Sequence, residues 1–404
     1  MNARAEIAGL STSRLVQPRT IGMGGIGLGL LACWLALPPL TVRSIFWPIA
    51  VGIVAVSAAI WSITRGAGRA GWLALAAGLA GIVLGIAATR SSVSHLDIVV
   101  VWSALIASTL RYATPLVFAA IGGMFSERSG VVNIGLEGMM LMGAFFGVWG
   151  ADRTDSWPLG VLIAFAAGVA LAIVHGFFCI HLRADQIVVG TAINFLALGI
   201  TGYLYVESYG EGAPTNIPEI PDVSIGFLKD VYFIGPILGS LNLMIWVSFA
   251  LLLLSYVVLF RTPTGLRLRS VGEHPRAADT VGIPVYGTRY AAVALSGGLA
   301  ALGGAYLSLG FIHTFDQNMT GGRGFIALAA LIFGNWRPFG VLAAALLFGF
   351  SSALGDRLPE YFSAASSTPQ LFNILPYVLT LIAVAGVIGR SIPPASVGRP
   401  YVKQ

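Results

Sequence analysis

The sequence predicts an all-α, polytopic integral membrane protein with about 11–12 helical spans, some of them broken or half helices. Of its 404 residues, 56% are hydrophobic and 10% are charged, whereas a soluble domain carries about 25% charged residues. The mean hydropathy is +0.85. The 51 glycines are typical of helices that pack closely or break within a bilayer.

Apolar runs long enough to cross the hydrocarbon layer, about 20 residues each, follow one another along the chain. The first is expected to be a retained span, because it is long and no small-residue cleavage site follows it. A shorter run at 323–334 predicts a half-helix or re-entrant element, which is tolerated only inside protein or beside a water-filled cavity. The predicted spans are 21–40, 45–63, 71–89, 98–121, 131–150, 158–181, 186–206, 239–260, 288–311, 338–354 and 371–389.

The loops differ in charge. The 261–289 loop holds five arginines against Glu273 and Asp279, whereas the 207–238 loop is acidic. The positive-inside rule therefore predicts that the first loop and both termini are cytoplasmic. The count of crossings closes only if 323–334 traverses the membrane or returns as a partial span.

Polar residues are distributed unevenly. Residues 1–95 hold three Gly- and Ala-rich spans with few polar residues, and later spans carry polar, charged or Gly-broken stretches. The pattern predicts an N-terminal extension over 1–95 and a functional core over 96–404.

Asn133 and Glu137 stand in an otherwise apolar run. Four residues apart, they would share one face of a helix. A carboxylate facing lipid is costly, so Glu137 is expected to face the protein interior or an aqueous path. It either bonds backbone exposed by Gly135 and Gly138 or contacts a substrate or ion.

Asn194 and Phe195, with Tyr203 further along, lie in the 186–206 span. An amide beside aromatic rings could hold a planar polar ligand. The alternative is that Asn194 hydrogen-bonds between helices.

Two inner segments carry unusual residues. Ser126, Glu127 and Arg128 are expected in a short polar turn between spans, where the plain interpretation is a solvated Glu127–Arg128 pair. Pro275 can open a short helix carrying Arg276, Ala277, Ala278 and Asp279, and Gly282 can end it. This helix either docks into a groove on a partner or belongs to an ordinary cytoplasmic loop.

Several function classes are disfavoured. Neither lysine, Lys229 or Lys403, stands in a phosphate-binding loop, so the chain is not expected to hydrolyse ATP. Cys33 and Cys179 show no metal-ligand spacing, and no metal site is expected. The arginines lie between apolar runs, which disfavours nucleic acid, and scattered histidines disfavour an enzyme. A proton-coupled secondary transporter using Glu137 remains an alternative.

Several motifs in order resemble the permease subunits of bacterial ABC importers for nucleosides and related sugars, in a wider set with ribose-type and branched-chain amino-acid permeases. The resemblance covers roughly residues 98–404 of the chain. The motifs are FSERSGVVNIGLEGMM, GEHPRAADTVGI (272–283), LSGGLAALGGAYLSLG (295–310), GGRGFIALAALIFGNWRPFG (321–340) and FNILPYVLTLIAVAGVIGRS.

This resemblance implies a multi-pass protein of the bacterial inner membrane that works by alternating access. Its implied partners are a second homologous permease, ABC ATP-binding subunits and an extracytoplasmic substrate-binding lipoprotein, besides membrane lipid. ATP and Mg would be used by the ATPase, and this chain would bind no cofactor. The helix at Arg276–Gly282 would couple to the ATPase, with Ser126–Gly130 as a second contact.

The candidate path residues are Asn133, Glu137, Asn194 and Phe195. Nucleosides lead as substrates by closeness of the motifs, with purine bases, ribose-like sugars and autoinducer-type sugars still open. The partner permease is either a paralogue or a second copy of this chain.

Overall fold

The computed structural model describes residues 18–36, 46–66, 68–90, 102–210, 212, 214, 216–229, 235–362 and 391–403. These residues fall into two compact units, which divide near residues 105 and 357. The segment 391–403 belongs to the second unit.

The first unit contains three helices that match the three spans expected in residues 1–95: α1 (Pro18–Ala36), α2 (Phe46–Thr64) and α3 (Arg69–Arg90). Small residues bring their backbones close together. A Cβ on Gly29 would lie 2.7 Å from the Cβ of Ala77, and one on Gly81 would lie 2.6 Å from the Cβ of Ala32. This packing is typical of membrane helices, where close approach replaces the hydrophobic effect between helices.

The second unit is built around α5 (Leu136–Thr154), α6 (Trp157–Gly176) and α13 (Val285–Ala305), which pack against one another. Gly168 on α6 meets Gly297 on α13, and Gly143 on α5 meets Ala301 on α13, both at backbone contact. The longer helices of this unit are α4 (Trp102–Arg128), α5 (Leu136–Thr154), α6 (Trp157–Gly176), α7 (Gln186–Tyr209), α10 (Leu243–Arg261), α13 (Val285–Ala305) and α15 (Pro338–Phe362).

Shorter elements connect these helices. Two π-helical turns, Phe177–His181 and Tyr306–Phe311, extend α6 and α13. The remaining helices are α8 (Gly226–Lys229), α9 (Gly235–Leu238), α11 (Pro263–Glu273), α12 (Pro275–Thr280) and α14 (Arg323–Phe333). An antiparallel pair of strands that the sequence did not predict, β1 (Asp222–Ser224) in the acidic loop and β2 (Ser240–Asn242) just before α10, pairs Val223 with Leu241.

The all-α polytopic class is confirmed. Among the described residues, eight helices are long and apolar enough to cross a membrane. The half-helix expected at 323–334 is confirmed as α14. The span predicted at 371–389 lies outside the described residues.

Helix α10 defines two ends of the second unit. At its start, the Asn242 amide donates to the Ile220 carbonyl in the acidic loop at 2.8 Å. At its other end, the Arg128 guanidinium lies 5.7 Å from the Phe260 ring centroid. Nineteen residues separate these ends, or about 28 Å at about 1.5 Å per residue. We call them the acidic end and the basic end.

The segment between α13 and α15 runs from one end to the other. His313 Nδ1 lies 3.4 Å from Glu219 Oε2 at the acidic end, and the Trp336 carbonyl accepts from Arg128 at the basic end. Its first half is irregular and its second half is α14. Of the two topologies that the sequence allowed, the structure therefore has the traversing one.

Cysteine labelling tests this topology. In a Cys33→Ser, Cys179→Ser background, a membrane-impermeant maleimide should label His313→Cys in intact spheroplasts and Arg337→Cys only after permeabilisation, because both side chains are exposed. Thr280→Cys on α12 serves as the marker of the basic end. Labelling of His313→Cys and Arg337→Cys from the same side would contradict a traversing segment.

Candidate functional site

Glu137 holds the start of α14 in the interior of the second unit. Its Oε1 accepts from the Gly322 amide at 2.9 Å and its Oε2 accepts from the Gly324 amide at 2.6 Å. The first N–H groups of any helix lack partners within that helix, and a carboxylate there is also favoured by the helix dipole. Glu137, which is 8% exposed, is therefore an N-terminal cap supplied by a different helix.

The expectation that Asn133 and Glu137 share a helix face is wrong, because α5 begins only at Leu136. The backbone before α5 is instead hydrogen-bonded to side chains of other helices. The Val132 amide donates to Gln186 Oε1 at 2.7 Å, and His175 Nε2 donates to the Val132 carbonyl at 3.1 Å. These bonds hold residues 131–133, which form no regular secondary structure, in place before α5.

The observed backbone partners of Glu137 also differ from the expected ones. The sequence pointed to backbone exposed by Gly135 and Gly138, which are neighbours in the chain. The observed donors are Gly322 and Gly324. Glu137 does stabilise a broken helix, but that helix begins about 185 residues away along the chain.

Asn133 is buried within the same region. Its Nδ2 donates to Ser296 Oγ at 2.9 Å and approaches Met139 Sδ at 3.3 Å. Its Oδ1 has no hydrogen-bond partner among the described residues. Because buried polar atoms are generally paired, this oxygen is a candidate contact for a polar solute.

Asn194 caps the start of α5, as Glu137 caps the start of α14. Its Oδ1 accepts from the Gly138 amide at 2.8 Å, and its Nδ2 donates to the Ile134 carbonyl at 3.1 Å. The amide thus connects α7 to the beginning of α5, as expected if Asn194 bonds between helices.

The expected grouping of Asn194 with aromatic rings is not formed. Phe195 and Tyr203 are 70% and 69% exposed, whereas Asn194 turns towards α5. Adjacent residues on a helix point in directions about 100° apart. Asn133, Glu137 and Asn194 therefore meet at the start of α5, and Phe195 does not join them.

Ser126, Glu127 and Arg128 do not form a turn between spans; they are the last residues of α4. Ser126 and Glu127 are buried, and Glu127 Oε2 accepts from Trp336 Nε1 at 2.6 Å. Arg128 Nη2 donates to the Trp336 carbonyl at 2.8 Å. The idea of a solvated pair is therefore wrong, since both side chains bond Trp336 and hold the turn after α14.

The short helix expected from Pro275 is confirmed as α12. Its two alanines face different ways: Ala277 is exposed, and Ala278 is buried against Val271, Val285 and Tyr401. Gly282 follows at φ +83°, a conformation that costs a residue with a Cβ about 1–2 kcal/mol.

The C-terminal segment 391–403 packs against α12. Sequence reasoning missed this contact. Tyr401 Oη donates to Asp279 Oδ2 at 2.8 Å, and Tyr286 Oη donates to the Tyr401 carbonyl at 3.2 Å. Partners more than 110 residues apart leave no local pattern, so no sequence signal could have revealed these contacts.

Sequence reasoning also missed three polar residues before α14, although the sequence does mark them. Asp316, Gln317 and Asn318 are exposed on the irregular segment between the acidic end and α14. A run of polar residues just before the Gly321-Gly322 pair marks them in the sequence.

Comparison with known proteins places this sequence in a family. Residues 105–384 match the model of the branched-chain amino acid transport system permease component. The chain belongs to this permease family. No solved structure matches it.

Three relatives align with between 69% and 76% of this chain. The chain is 44% identical over 330 residues to the guanosine ABC transporter permease NupQ of Bacillus subtilis, covering 76% of this chain and 99% of the relative. It is 39% identical over 309 residues to the nucleoside ABC transporter permease NupC of Lactococcus lactis, covering 74% and 96%. It is 36% identical over 280 residues to the putative glucose ABC transporter permease TsgC13 of Haloferax volcanii, covering 69% and 85%.

These findings identify a multi-pass membrane permease subunit of an ABC importer. The alternative of a proton-coupled secondary transporter is not supported. The relatives are named as transport permeases.

Replacing the capping carboxylate should weaken the fold. Glu137→Gln substitutes a donor for one acceptor oxygen, so one amide of Gly322 or Gly324 loses its partner, at a cost of about 1–3 kcal/mol. The midpoint of thermal unfolding in detergent should fall. Glu207→Gln, an equivalent change at an exposed glutamate of α7, should leave it unchanged. A normal midpoint with abolished uptake would instead indicate direct contact with substrate.

Gly324 should tolerate no side chain. A Cβ there would lie 2.5 Å from both Cα and N of Glu137, which is backbone that cannot move aside. Gly324→Ala should reduce the yield of monodisperse protein and abolish uptake. Gly199→Ala on α7, where nothing lies within 4 Å, should be neutral. Normal yield and uptake for Gly324→Ala would show that α14 does not dock on α5 as described.

Proposed function

We propose that the chain forms the translocation path for nucleosides in an ATP-driven importer. The observation that carries this proposal is the 44% identity across 99% of a relative named as a guanosine ABC transporter permease. A relative named for nucleosides, at 39% identity, supports the same substrate class. A putative glucose permease at 36% makes sugars the second candidate.

The ATP-binding subunit docks on α12. Ala277 and Arg276 are exposed on this helix, and Val281, directly after it, is 75% exposed. The small side chain of Ala277 leaves the outer face of α12 open to close approach by a partner. Asp279 bonds Tyr401 on the inner side of the helix, and Gly282 ends the helix at φ +83°. Ala278 packs against the interior. ATP and Mg are used by that subunit, since this chain has no phosphate-binding loop.

Of the second inner contact, Ser126, Glu127 and Arg128, only Arg128 is partly exposed. This residue is the one that can reach the ATPase from the end of α4. Ser126 and Glu127 support it from within.

The second permease is a paralogue rather than a copy. Bacillus subtilis contains another relative of this chain, the guanosine ABC transporter permease NupP, 27% identical over 252 residues. A substrate-binding lipoprotein delivers nucleoside at the acidic end. The basic end and both termini face the cytoplasm of a bacterial inner membrane, following the positive-inside rule.

Transport proceeds by alternating access. Nucleotide binding moves the ATPase and α12 with it, and the path changes the side to which it opens. Differential affinity of ATP for the two states supplies the bias. The exposed polar side chains of Asp316, Gln317 and Asn318 line the approach from the acidic end, because irregular backbone at membrane depth is tolerated beside water.

The four candidate path residues divide by role. Asn133, whose Oδ1 has no hydrogen-bond partner among the described residues but is fully buried, contacts the solute when the surrounding helices separate during transport. Glu137 and Asn194 fix the broken helices that border the path, and Phe195 faces lipid or the second permease. Residues 96–404 form the permease core, and 1–95 are an extension outside the 105–384 family match.

Uptake measurements test the proposal. Cells that express the chain with its ATP-binding and substrate-binding partners should accumulate labelled guanosine, and uptake should persist with a protonophore at constant ATP. Ala277→Arg should lower uptake at least about tenfold, as expected when a charge is forced into a packed interface. Thr264→Arg, an exposed site on the preceding helix, is the matched control.

Uptake of glucose but not guanosine would overturn the substrate class. Full guanosine uptake by Ala277→Arg would overturn the docking of the ATPase on α12.

A further inference from the structure

A groove lies between the beginning of α12 and the C-terminal segment 391–403. Its volume is about 440 Å³. One wall is formed by His274, Arg276 and Ala277, and the other by Arg399 and Tyr401. The groove therefore exists only because the C-terminal segment returns to the loop that carries α12.

The C-terminal wall is held firmly against that loop. Ser396 bonds the carbonyls of Gly272 and Glu273, through its amide at 2.9 Å and its hydroxyl at 2.9 Å. The Gly398 amide donates to the Gly130 carbonyl at 3.2 Å. A wall fixed at several points needs little further ordering when a partner binds, which favours affinity.

The groove carries positive charge. Arg276 and Arg399 line its two walls, and both are exposed. Two carboxylates lie nearby: Asp279 accepts from Tyr401 and lies 4.0 Å from Lys403 Nζ, and Glu273 Oε2 accepts from the Ala395 amide at 3.1 Å. With Lys403, the two arginines outnumber these carboxylates, so the surroundings of the groove keep a net positive charge. Two guanidinium groups across a groove suit carboxylates, which they can bind with paired hydrogen bonds.

We propose that this groove receives an acidic segment of the ATP-binding subunit, so that the docking surface comprises the C-terminal segment as well as α12. The inference rests on the proposed docking of the ATPase at α12. Ala277 belongs to both surfaces, since it lies on the exposed side of α12 and lines the groove. A subunit seated on α12 thus covers the mouth of the groove.

Retention of the ATP-binding subunit by the tagged full-length permease tests this inference. The complex is purified in detergent and washed with increasing NaCl. Arg399→Glu should lower the ATPase retained at about 150 mM NaCl by about tenfold, since reversing one charge creates repulsion with the acidic partner. Arg399→Lys should retain an intermediate amount, because it keeps the charge and loses the paired geometry.

Arg267→Glu is the matched control, an equal change of charge at an exposed site on α11 away from the groove. Each variant's midpoint of thermal unfolding is measured without the ATPase, so that loss of fold is seen separately. If Arg399→Glu weakens the permease fold, Arg276→Glu on the opposite wall provides the same charge test.

The outcomes separate the two proposals. Loss of ATPase by Arg399→Glu but not Arg267→Glu supports the groove. Equal retention by both, with loss in Ala277→Arg, overturns the groove and keeps α12 as the docking site. Full retention by all three variants overturns both proposals.

Discussion

The carboxylate of Glu137 on the amides of Gly322 and Gly324 is the contact on which the second unit depends. A helix that begins inside a membrane protein leaves N–H donors that water cannot satisfy, so another element must supply acceptors. The same solution appears once more, where Asn194 of α7 accepts from the start of α5. Because Glu137 lies on α5, the two caps are connected: α7 fixes α5, and α5 fixes α14.

The other end of α14 is also fixed by hydrogen bonds from another helix. Asn335 and Trp336 both adopt φ +52°, a left-handed backbone that is strained for residues with a Cβ. Glu127 and Arg128 stabilise this turn through the indole and the carbonyl of Trp336. The half-helix is therefore fixed by α5 at its start and by α4 at its end. Any movement of α14 requires these helices to move with it or the hydrogen bonds to exchange.

Hydrogen bonds and packing connect the short helix α12 to the same region. Tyr401 joins Asp279 and packs on Ala278, and a few residues earlier the Gly398 amide bonds Gly130 at the end of α4. Gly130 lies a few residues before Glu137 in the chain. The C-terminal segment thus provides a physical route between the exposed helix at the basic end and the capped half-helix in the interior. Proline and glycine give α12 its ends, and the returning segment gives it its position.

The sequence by itself determined the membrane class, most helix positions, the half-helix at 323–334 and the short helix after Pro275, because composition, run length and helix-ending residues are local properties. Its motifs also identified the family. For Glu137 it offered stabilisation of a broken helix as one of two interpretations, and for Asn194 a hydrogen bond between helices, but it did not identify the partners of either side chain. Only the tertiary structure decided that Asn133 precedes α5, that Glu127 is buried against Trp336, that Phe195 faces outward and that residues 391–403 cover α12. Each of these depends on partners far apart in the chain, and local periodicity carries no information about such pairings.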